Sequence, residues 1–257
     1  MKTKMNQMGH ICKNLGIPSR QISPEEITRF GENRPSSDHI LRSMAEMDEI
    51  MGKHVIAFGG FCVHPSILGF RKMRKSSNDL DCITDEEGVT MLNERFHGNP
   101  MFFRTENYGD LFLEYNGVPF SFDVGETHDW KIPQDFFERS TRFFVNYGGI
   151  NSVSPEYLLA LKIRRSVKTG KVFGKDKLDF ANVVLAPNYR YDLDSLDFGF
   201  LAELIRTHTT PHIQTAEYLV SQFLDATDHL RAGERQLFER RFGEFKDYLR
   251  TAYKPTN

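Results

Sequence analysis

Cysteine is scarce in this chain. Cys12, Cys62 and Cys82 are the only three in 257 residues, odd in number and without C-x-x-C spacing. That argues against a disulfide framework or a zinc knuckle and makes a reducing, cytoplasmic setting the expectation. Long apolar runs are also lacking: nothing approaches the ~20 residues of a membrane span, and the N-terminus carries no signal-type apolar core. No membrane partner is expected. Charge of one sign is not in excess, since Lys+Arg 33 against Asp+Glu 35 gives a formal −2. This excludes a surface that coats nucleic acid all over and leaves local basic patches open. Tryptophan occurs once, as Trp130, where packing is the ordinary use. What the chain has in quantity is phenylalanine, 22 residues, ample for a folded core.

The order of local signals predicts an α+β fold: a small mixed or antiparallel sheet with helices, then a C-terminal helical bundle. Residues 1–35 read as an N-terminal arm with a short helix, for which Ser23-Pro24-Glu25-Glu26 has capping-box form. Residues 36–150 read as the α/β core and 151–257 as the helical domain. In the core, Ser37-Asp38 is expected to cap a helix whose Ile40, Met44, Met47 and Met51 recur at helical spacing, a stripe for packing rather than for ligands. Strands are expected over 54–58, 79–84, 101–105, 111–115 and 118–124, with a helix over 86–97. Asn116-Gly117 is a strong two-residue hairpin signal. Ser154-Pro155 opens the helical part, with helices over 155–168, 176–186, 198–207, 213–230 and 234–251.

The chemistry-bearing residues gather around one stretch. A short apolar run ends in Gly59-Gly60, a pair that lets backbone N–H groups approach a phosphate without obstruction. Asp79 and Asp81 follow, two apart, and would share one face of a strand with Leu80 packed behind. Carboxylates held side by side suit a hard divalent cation, and Mg²⁺ binds through one or two of them plus substrate phosphates. Asp123, alternating with Phe120 and Phe122, is the best third carboxylate, because the Asn116-Gly117 turn frees its strand to lie beside that of Asp79. Between glycines and aspartates, Arg71-Lys72-Met73-Arg74-Lys75 puts four positive charges within five residues, either a solvated loop or a grip on phosphates. His208 and His212 are four apart but separated by Pro211, which argues against zinc.

Gly59-Gly60, Asp79-Leu80-Asp81 and Asp123, in that order, resemble the polymerase-beta-like nucleotidyltransferases. Lys162 in its helix and the run Lys175-Asp176-Lys177-Leu178-Asp179 are similar to the helical segment of the abortive-infection-type nucleotidyltransferase toxins. The resemblance covers roughly residues 54–186 and departs from the family in two places. Eighteen residues separate Gly60 from Asp79, more than is usual, and Pro65 interrupts the helix expected after the glycines. The resemblance implies a nucleotidyltransferase using two Mg²⁺ ions, held by Asp79, Asp81 and Asp123, and an NTP donor. It implies phosphate contacts from Gly59, Gly60, Arg74 or Lys75, Ser77, Lys162 and Lys175. Lys162 borders an apolar face and also reads as a snorkelling surface lysine. The implied acceptor is an RNA or protein hydroxyl, in a toxin–antitoxin or phage-defence setting with an antitoxin partner. Modification of a small antibiotic, or an inert domain binding nucleotide, RNA or a partner, are the other two readings.

Overall fold

The structure is a computed structural model that describes residues 9–26, 35–63, 80–106, 110–124, 138–185, 196–223 and 230–254. The chain packs as two units, Met1–Cys62 with Ser76–Val153, and Val63–Lys75 with Ser154–Asn257.

The first unit is built on an eight-stranded mixed sheet. Its strands are β1 (Ser19–Arg20), β2 (Val55–Ala57), β3 (Leu80–Thr84), β4 (Phe102–Thr105), β5 (Leu111–Tyr115), β6 (Val118–Val124), β7 (Thr141–Val145) and β8 (Gly148–Ser152). They lie in the order β1-β4-β5-β6-β3-β2-β8-β7. Asn116 and Gly117 both take positive φ, 51° and 72°, as a type I′ hairpin requires. The turn sets the β5–β6 register, in which Tyr115 faces Val118 and Leu111 faces Phe122. β6 then pairs in parallel with β3, Leu80 opposite Phe120 and Ile83 opposite Asp123.

Alternation decides what each face of the sheet meets. Leu80, Cys82, Phe120 and Phe122 are all essentially fully buried on one side. Helix α1 (Ser37–Met51) covers this side; its Met44, Met47 and Met51 are inaccessible, and Met44 Sδ lies 3.9 Å from Cys82 Sγ. The cap of α1 is Ser36, one residue earlier than expected, whose hydroxyl accepts from His39 N at 3.2 Å. The capping box at Ser23 forms in both directions, Glu26 N to Ser23 Oγ at 3.2 Å and Ser23 N to Glu26 Oε2 at 3.0 Å. Helix α2 (Glu86–Phe96) starts at Asp85, which accepts from Gly88 N at 2.7 Å and also holds His54 Nδ1 at 2.8 Å.

Two parts of the sheet differ from the sequence reading and make it larger than expected. Ser19–Arg20 adds a parallel edge strand beside β4, with Arg20 stacked 3.9 Å from the Phe103 ring centroid. The β7–β8 hairpin is the other, and it carries little strand signal because only Phe143 of β7 is buried while Phe144 is 80% exposed. Its place is fixed from α1: the buried Asp48 accepts from Asn151 N at 2.6 Å and pairs with Arg142 at 3.0 Å.

The second unit is helical: α3 (Pro155–Thr169), α4 (Gly174–Leu185), α5 (Phe198–His208), α6 (Ile213–Ser221) and α7 (Ala232–Ala252). Ser154 caps α3 with Pro155 in the first turn, as expected. The core is a phenylalanine cluster in which Phe180 meets Phe223 at 4.7 Å and Phe242 at 6.2 Å between centroids. Among the described residues, no helix is long and apolar enough to cross a membrane.

Candidate functional site

The site begins where β2 ends. Phe58 N donates to Asp81 O at 2.9 Å, which extends the β2–β3 pairing by one residue and brings the glycine turn against Asp81. Gly59 then takes φ +72°, and a Cβ placed there would lie 2.6 Å from Asp81 Oδ2. Glycine is required on both counts, since another side chain would be strained and would overlap the carboxylate.

Asp81 is half-buried on the sheet face opposite Leu80 and Cys82. In the β3–β6 register Asp81 faces Ser121, so Asp123, two residues further on, shares its face and lies opposite Ile83. Two of the three expected carboxylates, distant in sequence, thus come from adjacent parallel strands beside the glycine turn. Asp79, Arg74, Lys75 and Ser77 lie outside the described residues.

A fourth acid, Asp110, belongs to the same cluster and was not expected. The hairpin register that pairs Leu111 with Phe122 puts Asp110 opposite Asp123. Its carboxyl is pushed up to about 9, first by burial, then by the charge of Asp123 and a hydrogen bond to it, then by the charge of Asp81. Burial and the neighbouring carboxylates thus favour the protonated form of Asp110 in this pair. The signal was available: counting back from Asn116-Gly117 through a two-residue hairpin makes 110 the partner of 123.

The donor set is all oxygen and strongly acidic, the chemistry that suits a hard divalent cation. Among the described residues, no group of three or more His, Cys, Asp or Glu is arranged to hold a metal ion. Behind the site, Cys62 Sγ donates to Ala57 O at 3.1 Å and Ser152 Oγ donates to Cys62 Sγ at 3.1 Å, which fixes the segment leaving the glycines. Cys82 is fully buried, and its thiol is pushed well up by that burial and by Asp81, so it is packing rather than a nucleophile.

The remaining expected residues lie in the helical unit. Lys162 is buried, with Nζ 2.7 Å from Asp179 Oδ2 and 3.4 Å from Asp176 Oδ1. It is thus neither a snorkelling surface lysine nor solvent-facing; it joins α3 to α4 through a buried ion cluster. Lys175 is exposed in the first turn of α4.

No protein-family model matches the chain, and no curated protein matches it significantly. A solved structure does: an antigenic nucleotidyltransferase-like protein from Paracoccidioides brasiliensis. It aligns with a TM-score of 0.50 at 15% identity, over 79% of this chain and 94% of that one. At that identity the likeness speaks for the fold, and it does not extend to the abortive-infection toxins. The mixed sheet and the helices that follow are consistent with a nucleotidyltransferase-like α+β fold.

Proposed function

We propose that this chain is a nucleotidyltransferase that moves a nucleoside monophosphate from an NTP to an acceptor hydroxyl and releases pyrophosphate. The acceptor oxygen forms the new bond to the α-phosphorus. The bond from that phosphorus to the bridging oxygen breaks, and pyrophosphate leaves with the electron pair. The observation that carries this reading is the approach of Asp81 and Asp123 on one sheet face, with the Gly59 backbone against Asp81. Asp79, Asp81 and Asp123 would hold Mg²⁺, which when bound supplies neutralisation of the triphosphate and activation of the acceptor hydroxyl. Asp123 is the carboxylate assigned to receive the acceptor proton, and its bond from Asp110 holds it in place. The glycine pair is proposed to bind phosphate through its backbone, with Ser77 as a further contact, whereas the buried ion cluster of Lys162 gives that lysine a structural role instead.

The acceptor is proposed to be a hydroxyl of RNA or protein, in the cytoplasm, with the chain acting as a toxin held by an antitoxin. Growth arrest on expression supports that setting, whereas drug resistance without arrest would select antibiotic modification instead. The decisive test is incubation of the protein with each labelled NTP, Mg²⁺ and cell-extract RNA or protein. Pyrophosphate and labelled product are expected from the wild type and none from Asp81→Asn; an equally active Asp81→Asn would refute the site. The Asp110–Asp123 pair favours a second reading, a domain that binds nucleotide or a partner without turnover. Calorimetric NTP binding with no product on any acceptor would select it.

A further inference from the structure

We infer that the end of α3, the turn after it and the start of α4 form a docking surface for the sugar–phosphate backbone of RNA. This deepens the acceptor side of the proposed function and rests on that reading for its purpose, though not for its evidence. Between Arg164 and Lys177 the chain carries six cations: Arg164, Arg165, Lys168, Lys171, Lys175 and Lys177. The same stretch has one acid, Asp176, and Asp179 follows just beyond it; both are turned inward, 1% and 0% exposed, against Lys162. Outward-facing charge is therefore of one sign, in a chain whose formal total is −2. Arg165, Lys168, Lys171 and Lys175 are all exposed.

Arg164 and Lys168 are four apart on α3, and Arg165 and Lys168 three apart, so like charges are neighbours on one helix stripe. Gly170 closes the helix in the left-handed region, φ 63° and ψ 13°, and turns the chain so that Lys171 extends the stripe. An aromatic ring lies among the cations: Arg165 Cζ is 4.8 Å, and Lys171 Nζ 5.6 Å, from the Phe173 centroid. Cations tracking a backbone with an aromatic between them are the elements of sequence-tolerant single-strand binding. A membrane surface fits less well, because beside these cations Val167 is exposed while Val172, Phe173 and Leu178 are half-buried, which leaves little apolar area for insertion.

The test is fluorescence anisotropy of a short labelled single-stranded RNA, without NTP, between about 50 and 200 mM NaCl. Wild-type binding should weaken log-linearly with salt. The triple variant Arg165→Gln/Lys168→Gln/Lys171→Gln should bind at least about tenfold more weakly, with a salt slope lower by about 2–3. Lys53→Gln, an exposed lysine of the first unit, should change nothing. Circular dichroism confirms folding, and if the triple variant does not fold, Lys171→Gln alone should lower the slope by about 1. Wild-type affinity in the folded variant, or stronger binding to phosphatidylserine vesicles than to RNA, overturns the inference. Loss of nucleotidyl transfer with RNA binding intact would sink the proposed reaction and leave this surface standing.

Discussion

Replacing Asp110 by Asn gives the sharpest view of the acidic cluster, because the effect has a sign that depends on pH. In metal-free buffer well below pH 3.8 the Asp110 carboxyl is protonated in both the folded and unfolded chain and contributes nothing to pH dependence. Between its ordinary value of 3.8 and the folded value of about 9, the unfolded chain has released the proton while the folded chain retains it. The folded state then binds more protons, so stability falls as pH rises through this window and levels off above it. At pH 7 the span above 3.8 is about 3 units, a ceiling of about 4 kcal/mol at ~1.4 kcal/mol per unit. Asp123 titrates jointly with Asp110 and the site is partly open to solvent, which reduces the expected penalty to about 2 kcal/mol. Asn keeps a hydrogen-bond donor for Asp123 without the titration. Asp110→Asn should therefore be about 2 kcal/mol more stable than wild type at pH 7, and nearly equal to it near pH 4. Urea denaturation across pH 4–9 reads this directly. Added Mg²⁺ should flatten the wild-type slope, because a cation among the carboxylates lowers the pKa of Asp110. A variant less stable than wild type at pH 7, or a gap that does not change with pH, would refute the carboxyl pair.

Two further substitutions separate local strain from function. Gly59→Ala places a methyl 2.6 Å from Asp81 Oδ2 at φ +72°, and it should cost about 1–3 kcal/mol and abolish NTP turnover. Gly117→Ala has the same φ with nothing within 4 Å, so it should cost only about 1 kcal/mol and spare activity; equal effects of the two on turnover would show that Gly59 is merely a turn. Lys162→Met leaves Asp176 and Asp179 buried together, and it should cost about 3–5 kcal/mol in urea denaturation. Adding Asp176→Asn and Asp179→Asn should recover much of that loss, and a cost under ~1 kcal/mol for Lys162→Met alone would mean that the cluster is solvated.

Much of this protein was legible in local sequence. Ser154-Pro155 started its helix where expected, Asn116-Gly117 made the two-residue hairpin, and the Met44, Met47 and Met51 stripe was buried to the last atom. Each is a short-range rule of capping, turn chemistry or period, complete within a few residues. The α+β order and the glycine turn beside Asp81 followed from the same rules. Other features needed the folded chain. β7 and β8 have poor strand signals, with an exposed Phe144 and a Gly-Gly start, and they exist because Asp48, about a hundred residues earlier, holds Asn151 and Arg142. Lys162 looked like a helix-surface lysine until α4 brought Asp176 and Asp179 to it. The hairpin count from Asn116-Gly117 pairs Asp110 with Asp123, but only the pairing of β6 with β3 brings that pair to Asp81. The sequence alone determined which residues carry charge and where the chain turns. The tertiary structure decided which charges meet, because strand pairing and helix packing join positions that no local period connects.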